Sequence, residues 1–151
     1  METYESIKQL IIENADIINF GEFSQGVSKA WIKKAQDRLN VTFPPSYTWW
    51  LENYSGGEVL GEEIFSVYEM DFDEVVGGDI VYINELNRRN QSSNLNQLVI
   101  QETDRAEVFY FDLTKFDKNR EYQVYLDFAD YNGKYADNFL EFLAKRIRDI
   151  Q

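Results

Sequence analysis

The stretch FPPSYTWWLENYSGG, residues 43–57, begins with a proline pair, continues through a run of aromatic residues and ends in a glycine pair. Pro45 suits the first turn of a helix, because its fixed φ is helical and its missing N–H has no partner there. Large side chains then recur at helical spacing: Tyr47, Trp50, Leu51 and Tyr54. We expect Gly56 to end the helix in the left-handed conformation and Gly57 to let the chain reverse. The stretch therefore predicts a short helix with one aromatic face.

Helical periodicity also appears on both sides of this stretch. Residues 4–14 form one apolar face, and Ser28 can cap a second helix that runs to about Leu39. Residues 79–89 indicate another helix, with Asp79 as its cap. The last helix carries a regular apolar stripe: Phe139, Phe142, Leu143, Ile147 and Ile150. Helices are thus predicted near both ends of the chain.

Strand-forming runs occupy the middle of the sequence. One contains Ile64, Phe65, Val67 and Tyr68, and others cover residues 98–100, 108–111 and 122–128. This order favours an α+β fold with a mainly antiparallel central sheet and helices at the N- and C-terminal ends. At 151 residues, with no linker-like segment, the chain is predicted to be one domain over residues 1–151.

Charge is unevenly distributed along the chain. The net charge is −12, yet ten acids fall within residues 39–87, which contain no Lys or Arg and are called the base-free segment below. Such a field repels nucleic acid and anionic membranes and attracts a basic partner, although clustering by chance in a soluble acidic protein is the alternative. The chain has no cysteine, export-signal pattern or apolar run of about 20 residues, so we expect a cytoplasmic protein.

Common catalytic and cofactor patterns are missing from the sequence. Without histidine or cysteine, Ser-His-Asp triads, Cys-His dyads and Cys/His zinc sites are excluded. Carboxylates alone could still serve a glycosidase or bind a hard metal, but adjacent Glu62 and Glu63 would point to opposite faces of a strand. The DFADYNG segment does not fit a calcium loop, and no phosphate loop occurs. We predict no catalysis, no metal and no cofactor.

The tryptophans allow more than one interpretation. Aromatic residues at helical spacing usually belong to the core, and this applies to Trp31 and Trp50. Trp49 lies off the predicted buried face, so we expect it to be partly exposed and to anchor a contact. Stacking on nucleic acid would need a basic track, which this acidic region lacks. Binding of a small ligand in an aromatic pocket stays open.

Four segments together form a familiar pattern: RLNVTFPPSYTWWLENYSGG, IFSVY, EVFYFDL and NFLEFLAKRI. The chain resembles the SUKH superfamily of Smi/Knr-type domains and looks most like the YobK type of bacterial immunity protein. The positions that carry the resemblance are interpreted as structural: Leu39, Phe43, Pro44, Tyr47, Trp50, Leu51, Gly56 and Gly57. Many relatives carry a glutamate in the helix before the leucine, where this chain has Ala35 and Gln36.

The resemblance implies an α+β fold and a non-catalytic protective role. Bacterial members commonly bind and silence toxins encoded beside them, often nucleases or deaminases, whereas yeast members regulate cell-wall glucan synthesis. Joined to the charge pattern, it suggests that a cognate basic toxin is bound by an acidic surface that occludes its active-site groove. The predicted contact residues are Trp49, Glu58, Glu62, Glu63, Asp71, Asp73 and Glu74. A regulatory module and a carboxylate-based enzyme or metal binder stay open as alternatives, and no oligomeric state is predicted.

Overall fold

A computed structural model describes residues 1–149 and shows an α+β fold with two antiparallel sheets. Its elements follow in chain order: α1 (Tyr4–Glu13), β1 (Ile18–Asn19), α2 (Lys29–Leu39), α3 (Pro45–Asn53), β2 (Gly57–Val59), β3 (Glu62–Ile64), α4 (Ile80–Arg89), β4 (Gln97–Glu102), β5 (Val108–Phe116), β6 (Tyr122–Phe128), β7 (Tyr131–Ala136) and α5 (Phe139–Asp149). The smaller sheet has the order β1-β2-β3 and the larger β4-β5-β6-β7. The fold class is confirmed, although the strands form two sheets where one central sheet was predicted. Ile150 lies outside the described residues.

The helix starts follow the signals in the sequence. Ser28 accepts a hydrogen bond from the Trp31 N–H at 3.2 Å, which satisfies a donor that the first turn of α2 would leave unpaired. Asp79 does the same for two N–H groups of α4. Helix α3 begins at Pro45, as predicted. These three starts were predictable because capping and proline preferences act within a few residues of chain.

The predicted role of the glycine pair is wrong. Helix α3 ends at Asn53, and the residue after it, Tyr54, is extended with φ −131°. Gly56 and Gly57 do have positive φ, 88° and 130°, but they lie where the chain enters β2. A Cβ at Gly56 would come within 2.3 Å of the Ser66 Oγ, and one at Gly57 within 1.8 Å of the Asn19 carbonyl oxygen. The glycines allow close backbone approach, because neighbouring segments leave no room for a side chain.

Three strand predictions need correction. In the run from Ile64 to Tyr68, only Ile64 belongs to a strand, and Ser66 forms an isolated bridge to Asp79. Strand β5 extends to Phe116, five residues beyond the predicted end. Strand β7 was not predicted: it begins at Tyr131, inside the segment that failed as a calcium loop, and pairs with β6 with one register shift. Its YNGKYA sequence has no alternating apolar pattern, so pairing with β6 and not local propensity determines its conformation.

The aromatic face of α3 lies at the centre of the core. Tyr47, Trp50 and Leu51 are fully buried. The ring of Trp50 contacts Phe139 of α5, with ring centroids 5.5 Å apart. The Tyr47 hydroxyl donates a hydrogen bond of 2.6 Å to the Phe65 carbonyl oxygen, which pairs a polar atom that burial would otherwise penalise. Leu39, Phe43 and Pro44 are also buried, so most of the residues that carry the resemblance lie inside the molecule.

Candidate functional site

One of the ten acids in the base-free segment is internal. Asp79 is fully buried, and its carboxylate accepts hydrogen bonds from three backbone N–H groups: those of Tyr68, Val81 and Tyr82, at 3.0, 2.9 and 3.0 Å. These donors disperse the negative charge without a cation. Asp79 joins the end of the preceding loop to the start of α4, so it is a structural residue and contributes no contact surface.

The acids of the β2–β3 hairpin divide between its two faces. Glu58 and Glu63 are paired across the strands and therefore share one face, whereas Glu62 is paired with Val59 on the other. The Tyr68 hydroxyl donates a hydrogen bond to Glu63 and accepts one from the Gly78 N–H at 2.9 Å. Burial, together with the hydrogen bond to Glu63, raises the pKa of Tyr68. Glu63 is thus engaged within the protein, while Glu58 and Glu62 are half-buried and carry no ion pair within residues 1–149.

The acids of the loop between β3 and α4 are exposed and held by a turn. The Asp71 carboxylate accepts a hydrogen bond from the Asp73 N–H at 2.9 Å. The Asp71 carbonyl oxygen accepts two more, from Glu74 and Val75, at 3.0 and 2.9 Å. Val75 is buried and fixes the turn to the body of the protein. The side chains of Asp71, Asp73 and Glu74 are therefore presented to solvent on a defined backbone.

A cation from outside the base-free segment reaches back to this loop. Arg38, near the end of α2, places its Nε 2.7 Å from Glu85 and its Nη2 2.9 Å from Asp73. The hydrogen bonds to Glu85 and Asp73 raise the pKa of Arg38, which stays charged. Two of the ten acids therefore share one guanidinium. The sequence overstated the negative field of this segment, because it could not show which side chains fold against it.

Aromatic side chains lie beside the loop acids. The ring of Phe72 is packed edge-on against Trp31 of α2, with centroids 5.7 Å apart. Lys34 Nζ lies 4.5 Å from the Trp31 ring centroid, a cation–π distance. An open groove of about 630 Å³ runs between α2 and the loop, lined by Trp31, Lys34, Asp37, Arg38, Asp71 and Phe72. We call Trp31, Asp71, Phe72, Asp73 and Glu74 the loop face.

The predicted anchor, Trp49, lies elsewhere. It is half-buried, as expected, and its ring is tilted against that of Tyr4 of α1, with centroids 4.7 Å apart, and lies 6.0 Å from the ring of Tyr54. None of its ring contacts in the described part of the chain involves the loop face. The tryptophan beside the loop acids is instead Trp31, which the helical pattern assigned to the core. The sequence contained one signal for this surface: Phe72, an aromatic residue that stands between two acids in DFD.

Two further findings concern metals and membranes. Within residues 1–149, no group of three or more acidic side chains is arranged to hold a metal ion. None of the helices in that range is long and apolar enough to cross a bilayer.

Comparison with known families identifies what the chain resembles. The sequence model of a family described as SUKH_6, SMI1-KNR4 cell-wall, matches residues 29–143. That span runs from the first residue of α2 into α5, and it includes the aromatic segment and the whole loop face. No curated protein sequence matches the chain. The match does not distinguish the YobK type from other members, so that part of the resemblance stays a prediction.

Proposed function

Because the chain belongs to the SMI1-KNR4 family of the SUKH superfamily, we propose that it is an immunity protein that binds and neutralises a basic protein toxin. The proposed toxin acts on nucleic acid and is most simply a nuclease. Inhibition is stoichiometric: the bound protein covers the toxin's active-site groove and catalyses nothing. We place this encounter in the cytoplasm, where such a toxin would meet its target.

The observation that carries the proposal is the loop face, where exposed carboxylates stand beside the half-buried rings of Trp31 and Phe72. A nuclease must hold phosphates, so its substrate groove is positively charged. Carboxylates on a partner's surface complement that groove and accelerate the encounter. Aromatic side chains such as Trp31 and Phe72 supply the contact that excludes water, which is the usual property of a binding hot spot.

The acids of the loop face differ in their availability. Asp73 already shares Arg38 with Glu85, so a toxin cation would compete with an existing ion pair. Asp71 and Glu74 have no ion pair among residues 1–149 and are free to meet a toxin cation. We therefore assign the main electrostatic contribution to Asp71 and Glu74, with the half-buried Glu58 and Glu62 as further candidates.

The experiment that tests this function is co-expression with the product of the adjacent gene. We expect the host to survive when both proteins are present and the two to co-purify as a stoichiometric complex. The double variant Asp71→Asn/Glu74→Gln should weaken the complex, because it removes two charges and preserves shape. Asp16→Asn/Glu22→Gln is the matched control, since it changes the same residue types at exposed positions outside the base-free segment. Failure to protect and to form a complex would contradict the proposal.

The family description itself favours a second candidate, since it names the cell wall. On this alternative the chain is a regulatory interaction module and no toxin is involved. Gene context separates the two: a neighbouring gene for a large secreted protein with a toxin-like terminus favours immunity.

A carboxylate-based metal enzyme makes a different prediction. It requires thermal stabilisation by millimolar calcium, magnesium or manganese, which we do not expect.

A further inference from the structure

A second surface, distinct from the loop face, is formed by the β5–β6 hairpin and the beginnings of α1 and α5. It contains two depressions that share one wall. The larger, about 510 Å³, is called the acidic cleft, and five carboxylates line it: Glu2, Asp117, Glu121, Asp137 and Glu141. The smaller, about 230 Å³, is called the Phe116 groove and is lined by Thr42, Phe116, Arg120 and Tyr122.

Phe116 forms the shared wall and is 66% exposed. Its ring is packed edge-on against Tyr122, with centroids 6.1 Å apart, so one face of the pair is supported and the other is open. A supported aromatic ring beside a concave apolar surface is typical of a site that receives a bulky side chain. Within the protein, none of the described residues fills this groove.

The carboxylates of the acidic cleft are held mainly by neutral donors. Glu121 accepts hydrogen bonds from the Ser46 N–H at 2.9 Å and the Ser46 hydroxyl at 2.6 Å. Asp117 accepts two from backbone N–H groups of its own hairpin, at 2.8 and 3.0 Å. Glu141 accepts one from the Asp137 N–H at 3.2 Å. These bonds orient the oxygens and disperse part of their negative charge, but none of the donors is a cation.

Two of the five carboxylates in the cleft have ion pairs. Arg148 pairs with Glu2 at 3.0 Å and Lys134 with Asp137 at 2.5 Å. Asp117, Glu121 and Glu141 have no ion pair among residues 1–149. Burial raises the pKa of Glu121, and its neighbour Asp117 adds to the rise although Ser46 opposes it. An incoming cation would favour the charged form of Glu121, which burial disfavours.

We propose that these two depressions dock an extended basic segment of a partner protein. A bulky apolar side chain of that segment lies in the Phe116 groove, and the lysines or arginines next to it lie in the acidic cleft. Arg120 on the groove disfavours a base there, which assigns the basic side chains to the acidic cleft. The inference rests on the proposed function in taking the partner to be basic, but it assigns a surface that the charge pattern of the sequence did not indicate.

The test uses a fluorescently labelled synthetic peptide with one leucine between two runs of lysines, and measures its anisotropy with the full chain. We expect saturable binding that weakens about tenfold in the variant Phe116→Ser/Glu141→Gln. The loop-face variant Asp71→Asn/Glu74→Gln should bind within about twofold of wild type, because exposed charges elsewhere contribute little. A peptide with glutamates in place of lysines should not bind. Glu141→Gln alone keeps Phe116 and a side-chain oxygen that can accept from the Asp137 N–H, and it should also weaken binding.

Three outcomes would overturn this inference. The first is that the lysine peptide does not bind. The second is that the cleft variant and the loop-face variant weaken peptide binding equally. The third is concentration-dependent dimerisation that Phe116→Ser abolishes, which would make a second copy of the chain the occupant. The peptide assay does not use the toxin. A negative result with toxin protection intact therefore rejects only the acidic cleft, and peptide binding without toxin protection rejects only the proposed function.

Discussion

Helix α3 and the loop between β3 and α4, residues 65–79, are held by different forces. The side chains of α3 are fixed by burial, and Tyr47, Trp50 and Leu51 expose no surface. The loop is fixed by hydrogen bonds to carboxylates, while Met70 and Val76 are about half or more exposed, at 50% and 64%. The comparison separates two roles: changes in α3 should unfold the protein, and changes on the loop face should alter binding.

The largest effect is expected from truncating the centre of α3. Trp50→Ala removes a fully buried ring that contacts Phe20, Tyr47 and Phe139, and it should lower the free energy of unfolding by about 3–5 kcal/mol. Urea denaturation followed by circular dichroism measures the change. Trp49→Ala is the matched control, because the half-buried ring should cost clearly less. Equal losses for the two tryptophans would contradict the packing account.

The next effect tests how the loop is joined to the fold. Asp79→Ala leaves three buried or half-buried N–H groups without an acceptor, and we expect a loss of about 2–4 kcal/mol in the free energy of unfolding. Ser28→Ala removes one acceptor from an exposed helix start and should cost about 1 kcal/mol. Thermal and urea unfolding of both variants compare the two caps. A smaller loss for Asp79→Ala than for Ser28→Ala would show that the internal carboxylate does not hold the loop.

A smaller, pH-dependent effect on the free energy of unfolding is expected from Glu121, the acid of the cleft that is bonded to Ser46 of α3. Burial raises the pKa of Glu121 in the folded protein, so in acid the folded state binds its proton more tightly than the unfolded state. The contribution to stability is therefore present below the unfolded pKa of about 4.3 and is lost as pH rises through the folded pKa. Glu121→Gln should remove this dependence. The free energies of unfolding of wild type and variant are to be measured across this pH range. A difference between the two proteins that does not change with pH would contradict the prediction.

The smallest stability effect is expected on the loop face. Asp71→Asn/Glu74→Gln preserves the acceptor that holds the turn, so the free energy of unfolding should change by no more than about 0.5 kcal/mol. Differential scanning calorimetry beside the control Asp16→Asn/Glu22→Gln measures the change. A loss near that of Asp79→Ala would mean that the loop acids are structural, and the separation between the two regions would fail.

Local signals explain why the fold was largely predictable. Pro45, Ser28 and Asp79 determine helix starts within a few residues, and apolar periodicity identifies the long helices and the strands β4 to β6. Strands β1 and β2 have two and three residues and carry too short a pattern to detect. Gly56 and Gly57 were misassigned because their neighbours, Ser66 and Asn19, are distant in sequence.

The candidate site was less predictable than the fold, because the distribution of charge along the sequence does not determine its distribution on the protein surface. Asp79 counted among the ten acids of the base-free segment and is internal, whereas Arg38 lay outside that segment and folds back on it. Trp31 and Phe72 meet across separate elements. The acidic cleft gathers side chains from near residues 2, 117–121 and 137–141, so no single stretch of sequence indicates it.

The most direct test of the central claim is the association rate of the purified protein with its toxin at low and high ionic strength. Raising the salt from about 0.01 M to about 1 M shortens the screening length from about 30 Å to about 3 Å. We predict that the wild-type rate falls steeply, and that Asp71→Asn/Glu74→Gln is slower at low salt and converges with wild type at high salt. A wild-type rate that does not change with salt would contradict binding through an acidic surface.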